Sequence, residues 1–216
     1  KKAFDFTQLP ELWVRQSFSI TEWKLKKDLE GISKIEMEQV KTKRAIATTR
    51  SFETTLTELT DLKERISTFA SSCAEKLRRQ NSSCHVLVVF LSSDRFKTQS
   101  PQYRVSRMVS IPFPTNSSLV LTSRAVKAIT SIYKKGIYYK KAGVVLTGIV
   151  PTYNRQMQLF DHQDIRHQPL MSAMDHINKK YAAPKLKLAN QDLTRTWKMR
   201  QAHLSPQYTT NLNDII

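Results

Sequence analysis

Glycine is scarce, with only four in 216 residues, and the scarcity excludes several machineries at once. The sequence holds no glycine-rich phosphate loop, no GxSxG nucleophile elbow, no HExxH and no CxxC. Cysteine is scarcer still: Cys73 and Cys84 exclude a disulfide scaffold, carry no metal-ligand spacing around them, and are expected to be reduced and structural. Long apolar runs are missing too. Nothing approaches the roughly 20 residues a membrane span needs, and no signal peptide is visible, so the expectation is a cytoplasmic protein with no membrane partner. Acidic residues are the most telling shortage. Eighteen Asp and Glu face thirty-five Lys and Arg, leaving a net charge of +17. From Arg95 to Phe160 no acid occurs, while Arg95, Lys97, Arg104, Arg107, Arg124, Lys127, Lys134, Lys135, Lys140, Lys141 and Arg155 all fall there. A solvated face ordinarily mixes both signs; a one-sign stretch of this length builds a field for a polyanion.

Hydrophobic content is 40% and charged content 25%, values typical of a folded globular chain. The chain enters at Lys1 in mid-pattern and reads as a piece of something longer. Residues 1–37 carry irregularly spaced apolar clusters that predict small helices, with Gly31 as a C-terminal stop. The stretch Lys43 to Phe52, "KRAIATTRSF", predicts a strand. A helix follows, capped by Thr57 or Thr60, with Leu59, Leu62, Ile66, Phe69, Ala70, Cys73 and Leu77 recurring every three or four residues. His85 to Ser92, "HVLVVFLS", predicts a buried strand, and Tyr103 to Ile111 an alternating one that Pro112 and Pro114 end. A second helix runs through Leu121, Ala125, Ala128, Ile129 and Ile132, with Gly136 beyond it. Tyr138 to Val150 predicts the last strand.

That order implies an α+β fold of the split βαβ type: a four-stranded sheet with two helices on one face and the other face free. Residues 151–216 hold a short amphipathic helix through Leu170, Met171, Met174, Ile177 and Tyr181, then a stretch of little periodicity. Nine bases against five acids give this tail a net +4, and it predicts a small, mostly helical or irregular module.

The free sheet face carries the functional expectation. Lys43, Arg44, Thr48, Thr49, Arg50 and Ser51 come from the first strand, Arg104 and Arg107 from the third, Lys140 and Lys141 from the fourth. Cations release counterions from a phosphate backbone while hydroxyls orient it, so binding should follow backbone shape rather than sequence. A rival reading is a structural RNA- or ribosome-associated protein with the same sheet, which would stack bases on open-face aromatics; Tyr103, Tyr138 and Tyr139 are its candidates. No catalytic residue is expected. Asp28 with Glu30, and Asp161 with Asp164, read as solvated polar positions rather than a metal-binding pair, and His162, His167 and His176 lack the spacing of a zinc site.

"TTRSF" (Thr48 to Phe52), "AEKLRRQ" (Ala74 to Gln80), "IYKKGIYYKKAGVVL" (Ile132 to Leu146), "QLFD" (Gln158 to Asp161), "LMSAMDHIN" (Leu170 to Asn178) and "WKMRQAHLSPQYTTNLNDI" (Trp197 to Ile215) together resemble the C-terminal half of UmuC-type proteins. These are the catalytic subunits of bacterial DNA polymerase V and its plasmid-borne relatives, in the Y family of translesion polymerases. The resemblance implies a thumb remnant at 1–37, a DNA-binding little finger at 38–150 and a C-terminal partner-binding domain at 151–216. It implies that the catalytic palm, with the carboxylates that hold Mg2+ in the parent enzyme, lies before Lys1, so this portion needs no cofactor and should not polymerise. "QMQLF" is similar to the sliding-clamp binding motif, with Gln156 at the rim and Leu159 and Phe160 in apolar pockets. Primer-template DNA, the sliding clamp, the RecA filament and a processed UmuD-type subunit are the implied partners, the last two through Trp197 to Ile216. Glu53 departs from the family, which usually has glycine there; it sets a negative charge at the end of the first strand.

Overall fold

A computed structural model describes residues 2–34, 41–97, 99–152, 164–181, 185–192, 204–207 and 210–212. The chain divides into two compact units, Lys1–Thr42 and Lys43–Ile216.

Three short helices make up the first unit: α1 (Ala3–Thr7), α2 (Glu11–Ser17) and α3 (Ile20–Leu29). Ser19 caps α3 through a capping box with Glu22, which satisfies two of the orphan amide donors of the first turn. Gly31 takes φ +82° past the end of α3, as the sequence predicts. The amides of Gly31 and Ile32 bond back to the carbonyls of Asp28 and Lys27, a pairing that terminates the helix cleanly. Among the described apolar side chains here only Val14 is fully buried. Polar contacts do much of the holding: Lys26 donates to the Thr7 carbonyl and Glu30, and Lys27 bridges Glu11 and Glu30.

The second unit runs β1 (Ile46–Leu56), α4 (Leu59–Arg79), β2 (Ser82–Ser93), β3 (Arg104–Thr115), α5 (Ser118–Ile132) and β4 (Tyr139–Pro151), then α6 (His167–Lys180). The strands form one antiparallel sheet in the order β1-β4-β2-β3. Each helix crosses between two strands separated by a third, so two split βαβ units interleave. Helices α4 and α5 lie on the same face, and the expected α+β architecture with one uncovered face is what the chain adopts. The 3,4-spaced side chains of α4, Leu62, Ile66, Phe69, Ala70, Cys73 and Leu77, are all buried. They meet Leu121, Ala125 and Ile129 of α5 and Leu87, Val89, Leu91, Val144 and Leu146 of the sheet in one core. Each fully buried aliphatic side chain contributes about 1.5–3 kcal/mol.

Two local expectations are corrected. Pro112 and Pro114 do not end β3, which continues to Thr115. They fall where the pairing jumps from Val86–Ser110 to Cys84–Thr115, an irregularity on the sheet's edge strand, and there a missing N–H breaks no ladder. The cap of α4 is neither Thr57 nor Thr60 but Glu58, whose side chain makes no capping bond. Packing of the long apolar stripe holds that helix start without one.

Helix α6 is anchored on the second unit. Met171 is buried, Asp175 forms a two-pronged pair with Arg78 at 2.6 and 2.7 Å, and His167 Nδ1 lies 3.1 Å from Ser117 Oγ. Arg78 also donates to the Asn116 carbonyl at 2.8 Å and to Ser118 Oγ at 3.0 Å. One guanidinium thus ties the end of α4, the start of α5 and the middle of α6.

Candidate nucleic-acid interface

Side chains alternate between the two faces of a strand, and the pairing register assigns the positions between its irregularities. On the uncovered face the residues fall into transverse rows. The first is Ser51, Lys141, Ser92 and Arg104; the next is Thr49, Gly143, Phe90 and Ser106; then come Ala47, Val145, Val88 and Met108. The row of cations and hydroxyls therefore sits at one end of the sheet and an apolar band crosses its middle. Gly143 is there for space: a Cβ would lie 2.6 Å from both Phe90 Cε1 and Thr49 Cγ2. Its bare backbone leaves the space that the Phe90 ring occupies.

Ser51, Thr49, Arg104 and Lys141 thus reach the open face as expected. Thr48, Arg50 and Arg107 do not: they share the parity of Ile46, Phe52, Val89 and Ala142, which face the helices. Cys73 and Lys76 of α4 both donate to the Thr48 hydroxyl, at 3.2 and 3.1 Å. Treating Thr48 to Ser51 as one block overlooks the period of two. Lys140 occupies a bulge, where the register slips between Tyr139 and Lys141, and donates to the Glu53 carbonyl at 2.9 Å. Glu53 thus supports a cation through its backbone. Lys43 and Arg44 precede β1 and lie at the opposite end of the sheet from Lys141. The Lys43 main chain is pinned by two hydrogen bonds to the Gln80 amide, at 3.0 and 3.1 Å, so the two exposed cations leave a fixed point. Gln156, Leu159 and Phe160 lie outside the described residues, as do Asp161 and His162.

A cleft of about 800 Å³ opens on the cationic end of the sheet, lined by Ser51, Phe90, Ser92, Arg104, Lys140 and Lys141 and by Arg95 and Phe96 of the β2–β3 loop. Phe90 and Phe96 escape a reading based on charge and strand composition, and Arg95 stands out there only as one cation of the acid-free stretch. The signal for Phe90 is its parity within "HVLVVFLS", opposite to that of the fully buried Leu87, Val89 and Leu91. That strand is buried on one side only. Of the tyrosines offered for base stacking, Tyr139 is fully buried and Tyr103 spends its hydroxyl on the Ile132 carbonyl, their rings meeting edge to face at 6.2 Å. Those two belong to the core. Tyr138 is about half exposed.

The acidic positions hold structural partners. Glu30 pairs with Lys26 and Lys27, and Asp28 accepts the Lys34 amide at 3.1 Å. The Arg166 guanidinium bonded to Asp164 draws its carboxyl down to about 2. Among the described residues no cluster of three His, Cys, Asp or Glu side chains has the geometry to hold a metal ion, and no helix is long and apolar enough to cross a membrane.

Comparison with known proteins places this architecture. The model of the impB/mucB/samB family C-terminal domain matches residues 43–159, beginning at the first residue of the second compact unit. This chain belongs to the impB/mucB/samB family. A second match, to a domain of unknown function (DUF4113), covers residues 168–216 and so takes in nearly all of α6. Relatives include protein UmuC of Salmonella typhimurium, 30% identical over 219 residues that cover all of this chain and 52% of the relative. Protein ImpB of the same organism is 28% identical over 216 residues, 99% of this chain and 51% of its own. Protein MucB of Escherichia coli is 28% identical over 218 residues, 100% and 51%. The chain spans about half the length of the curated relatives it matches.

Proposed function

We propose that this chain is the DNA-gripping and partner-recruiting portion of an error-prone translesion DNA polymerase of the SOS response. The observation that carries the reading is the uncovered sheet face, with Arg104 and Lys141 in one row at its end and Lys43 and Arg44 beyond the other. Extended chain rises about 3.3 Å per residue, so the run from Ile46 to Ser51 alone spans roughly 17 Å. That exceeds the ~12 Å width of a B-form major groove, which lets cations at the two ends meet phosphates on both strands of a primer-template duplex. Ser51 and Ser92 supply hydroxyls beside Lys141 and Arg104, and the three rows hold no Asn, Gln, Asp or Glu to read adenine or cytosine edges. Recognition by backbone shape suits an enzyme that must hold DNA of any sequence.

Recruitment falls to the tail. Leu159 and Phe160 would enter apolar pockets of the sliding clamp with Gln156 bonded at the rim, and the segment around Trp197 to Ile216 would meet the RecA filament and a processed UmuD-type subunit. The test is fluorescence anisotropy of the chain on primer-template duplex, single-stranded DNA and an RNA hairpin at several salt concentrations. Duplex preference with a steep salt slope is expected, since each phosphate neutralised steepens the dependence. Phe160→Ala should abolish capture on immobilised clamp and leave duplex binding unchanged. Preference for the RNA hairpin would overturn the reading in favour of an RNA-associated protein.

A further inference from the structure

We propose that the tip of the β2–β3 loop and the cleft beside it form a subsite for unpaired nucleotides of a DNA strand, with a base stacked on Phe96 and its flanking phosphates met by Arg95, Arg104 and Lys141. The inference rests on the DNA-binding reading above and says which part of the DNA this end of the sheet takes. Phe96 is 87% exposed, the most exposed aromatic side chain among the described residues. Its loop is nevertheless braced from within. The Phe96 amide donates to Asp94 Oδ1 at 3.1 Å, and the Gln102 side-chain amide donates to the carbonyls of Asp94, Lys97 and Ser100 at 2.9, 3.0 and 3.3 Å. The Tyr103 amide donates to Ser93 Oγ at 2.9 Å at the loop's base. A ring presented on a pre-ordered loop loses less freedom when it binds.

The surroundings specify the ligand. Arg95 and Phe96 line the same cleft as Arg104 and Lys141, and none of these three cations forms an ion pair among the described residues. The one acid lining the cleft, Asp94, has its carboxylate engaged by the Phe96 amide. An apolar ring between uncommitted cations matches a ligand that alternates flat faces with negative charge, which is a single nucleic-acid strand. A paired duplex buries the faces of its bases and offers a projecting ring only edges and backbone. Phe96 therefore discriminates between paired and unpaired DNA, whereas the cations of the sheet serve both.

The test uses the whole chain, its Phe96→Ala and Phe96→Trp variants, and two fluorescein-labelled probes: a twelve-nucleotide oligo-dT strand and a blunt, fully paired duplex of the same length. Stacking energies per base correspond to a loss of roughly 5- to 150-fold in oligo-dT affinity for Phe96→Ala. The duplex affinity should stay within about twofold, because single-strand stacking is the interaction removed. Phe96→Trp should keep the oligo-dT affinity, and its added indole emission, taken as the difference from the parent chain, should be quenched by the strand. Equal affinity of parent and Phe96→Ala for oligo-dT, or an equal loss on both probes, would overturn the subsite while the duplex grip stands. Failure of the parent chain to bind either probe would overturn the grip and the subsite together.

Discussion

The two faces of the sheet are built from the same four strands, residue by residue in turn, yet they obey different rules. The covered rows read Ile46, Leu146, Leu87 and Val109, then Thr48, Val144, Val89 and Arg107, then Arg50, Ala142, Leu91 and Val105. Their two central positions are always apolar and fully buried, and polar side chains occur only on the edge strands. On the uncovered face the order is loosened: cations and hydroxyls make up one row, a glycine sits beside a phenylalanine in the next, and an exposed methionine ends a row that holds two valines. The difference teaches where selection for folding ends. Central covered positions are fixed by packing, so their chemistry says nothing of ligands; uncovered positions are under no such demand, so the cations there need another explanation.

The contrast breaks most visibly at its strongest point. Leu87→Ala, at a fully buried covered position, should cost about 2–5 kcal/mol through lost transfer energy and a residual cavity. Urea denaturation should show the midpoint falling with little change in slope. A loss below 1 kcal/mol would mean the covered face is not the core described above. Arg78→Ala comes next. Its guanidinium carries the Asp175 pair and the bonds to α5, and hydrogen bonds to charged groups contribute about 1.5–3 kcal/mol each when partly shielded. The expected result is a lowered thermal midpoint together with faster tryptic cleavage after Lys179 or Lys180 as α6 loosens.

Gly143→Ala tests the uncovered face where it behaves like a core. The new methyl would sit 2.6 Å from Phe90 and Thr49 side-chain atoms, and overpacking of this kind costs about 1–3 kcal/mol. Lifting the Phe90 ring should also reshape the cleft, so DNA affinity and stability are expected to fall together, as paired anisotropy and melting curves would show. A smaller signature belongs to the thiols of the covered side. Burial pushes Cys84 from its ordinary 9.0 up to about 12 and raises Cys73 as well. A raised folded-state value means that this contribution to stability is whole below pH 9 and is lost between 9 and about 12, as the unfolded chain ionises first. Neither thiol should react with a disulfide reagent at pH 8 until denaturant is added.

How much of this was legible beforehand follows from the range of the interactions. The stripe of α4, the glycine stop after α3, and the succession of strands and helices along the chain are local patterns, and the sequence alone carries them. That Thr48, Arg50 and Arg107 cannot share a face with Thr49, Ser51 and Arg104 is also legible, because strand side chains alternate; which of the two sets is covered is decided by the helices. The continuation of β3 through two prolines depended on its being an edge strand, a fact of topology. Arg78 and Asp175 lie 97 residues apart, and no spacing rule links them. Phe96 carries no sequence signal of its own, since a lone loop aromatic means little until the cleft beside it is assembled from four strands.

The smallest effect is the most discriminating. Arg104→Ala and Lys141→Ala, separately and together, should move the thermal midpoint hardly at all, since surface substitutions without specific partners stay within about 0.5 kcal/mol. Their side chains pair with no acid among the described residues, so no buried charge is left behind. Duplex affinity, in contrast, should drop, and the slope of log affinity against log salt should flatten by about 0.9 for each lost phosphate contact. Arg50→Ala and Arg107→Ala provide the control: cations of equal charge in the same sheet but of the covered parity. If all four variants flatten the slope equally, the chain attracts DNA by net charge alone and the uncovered face has no special standing. If only Arg104 and Lys141 do so, position rather than charge makes the grip, and the alternation of side chains along β1, β3 and β4 is what separates a binding surface from a soluble one.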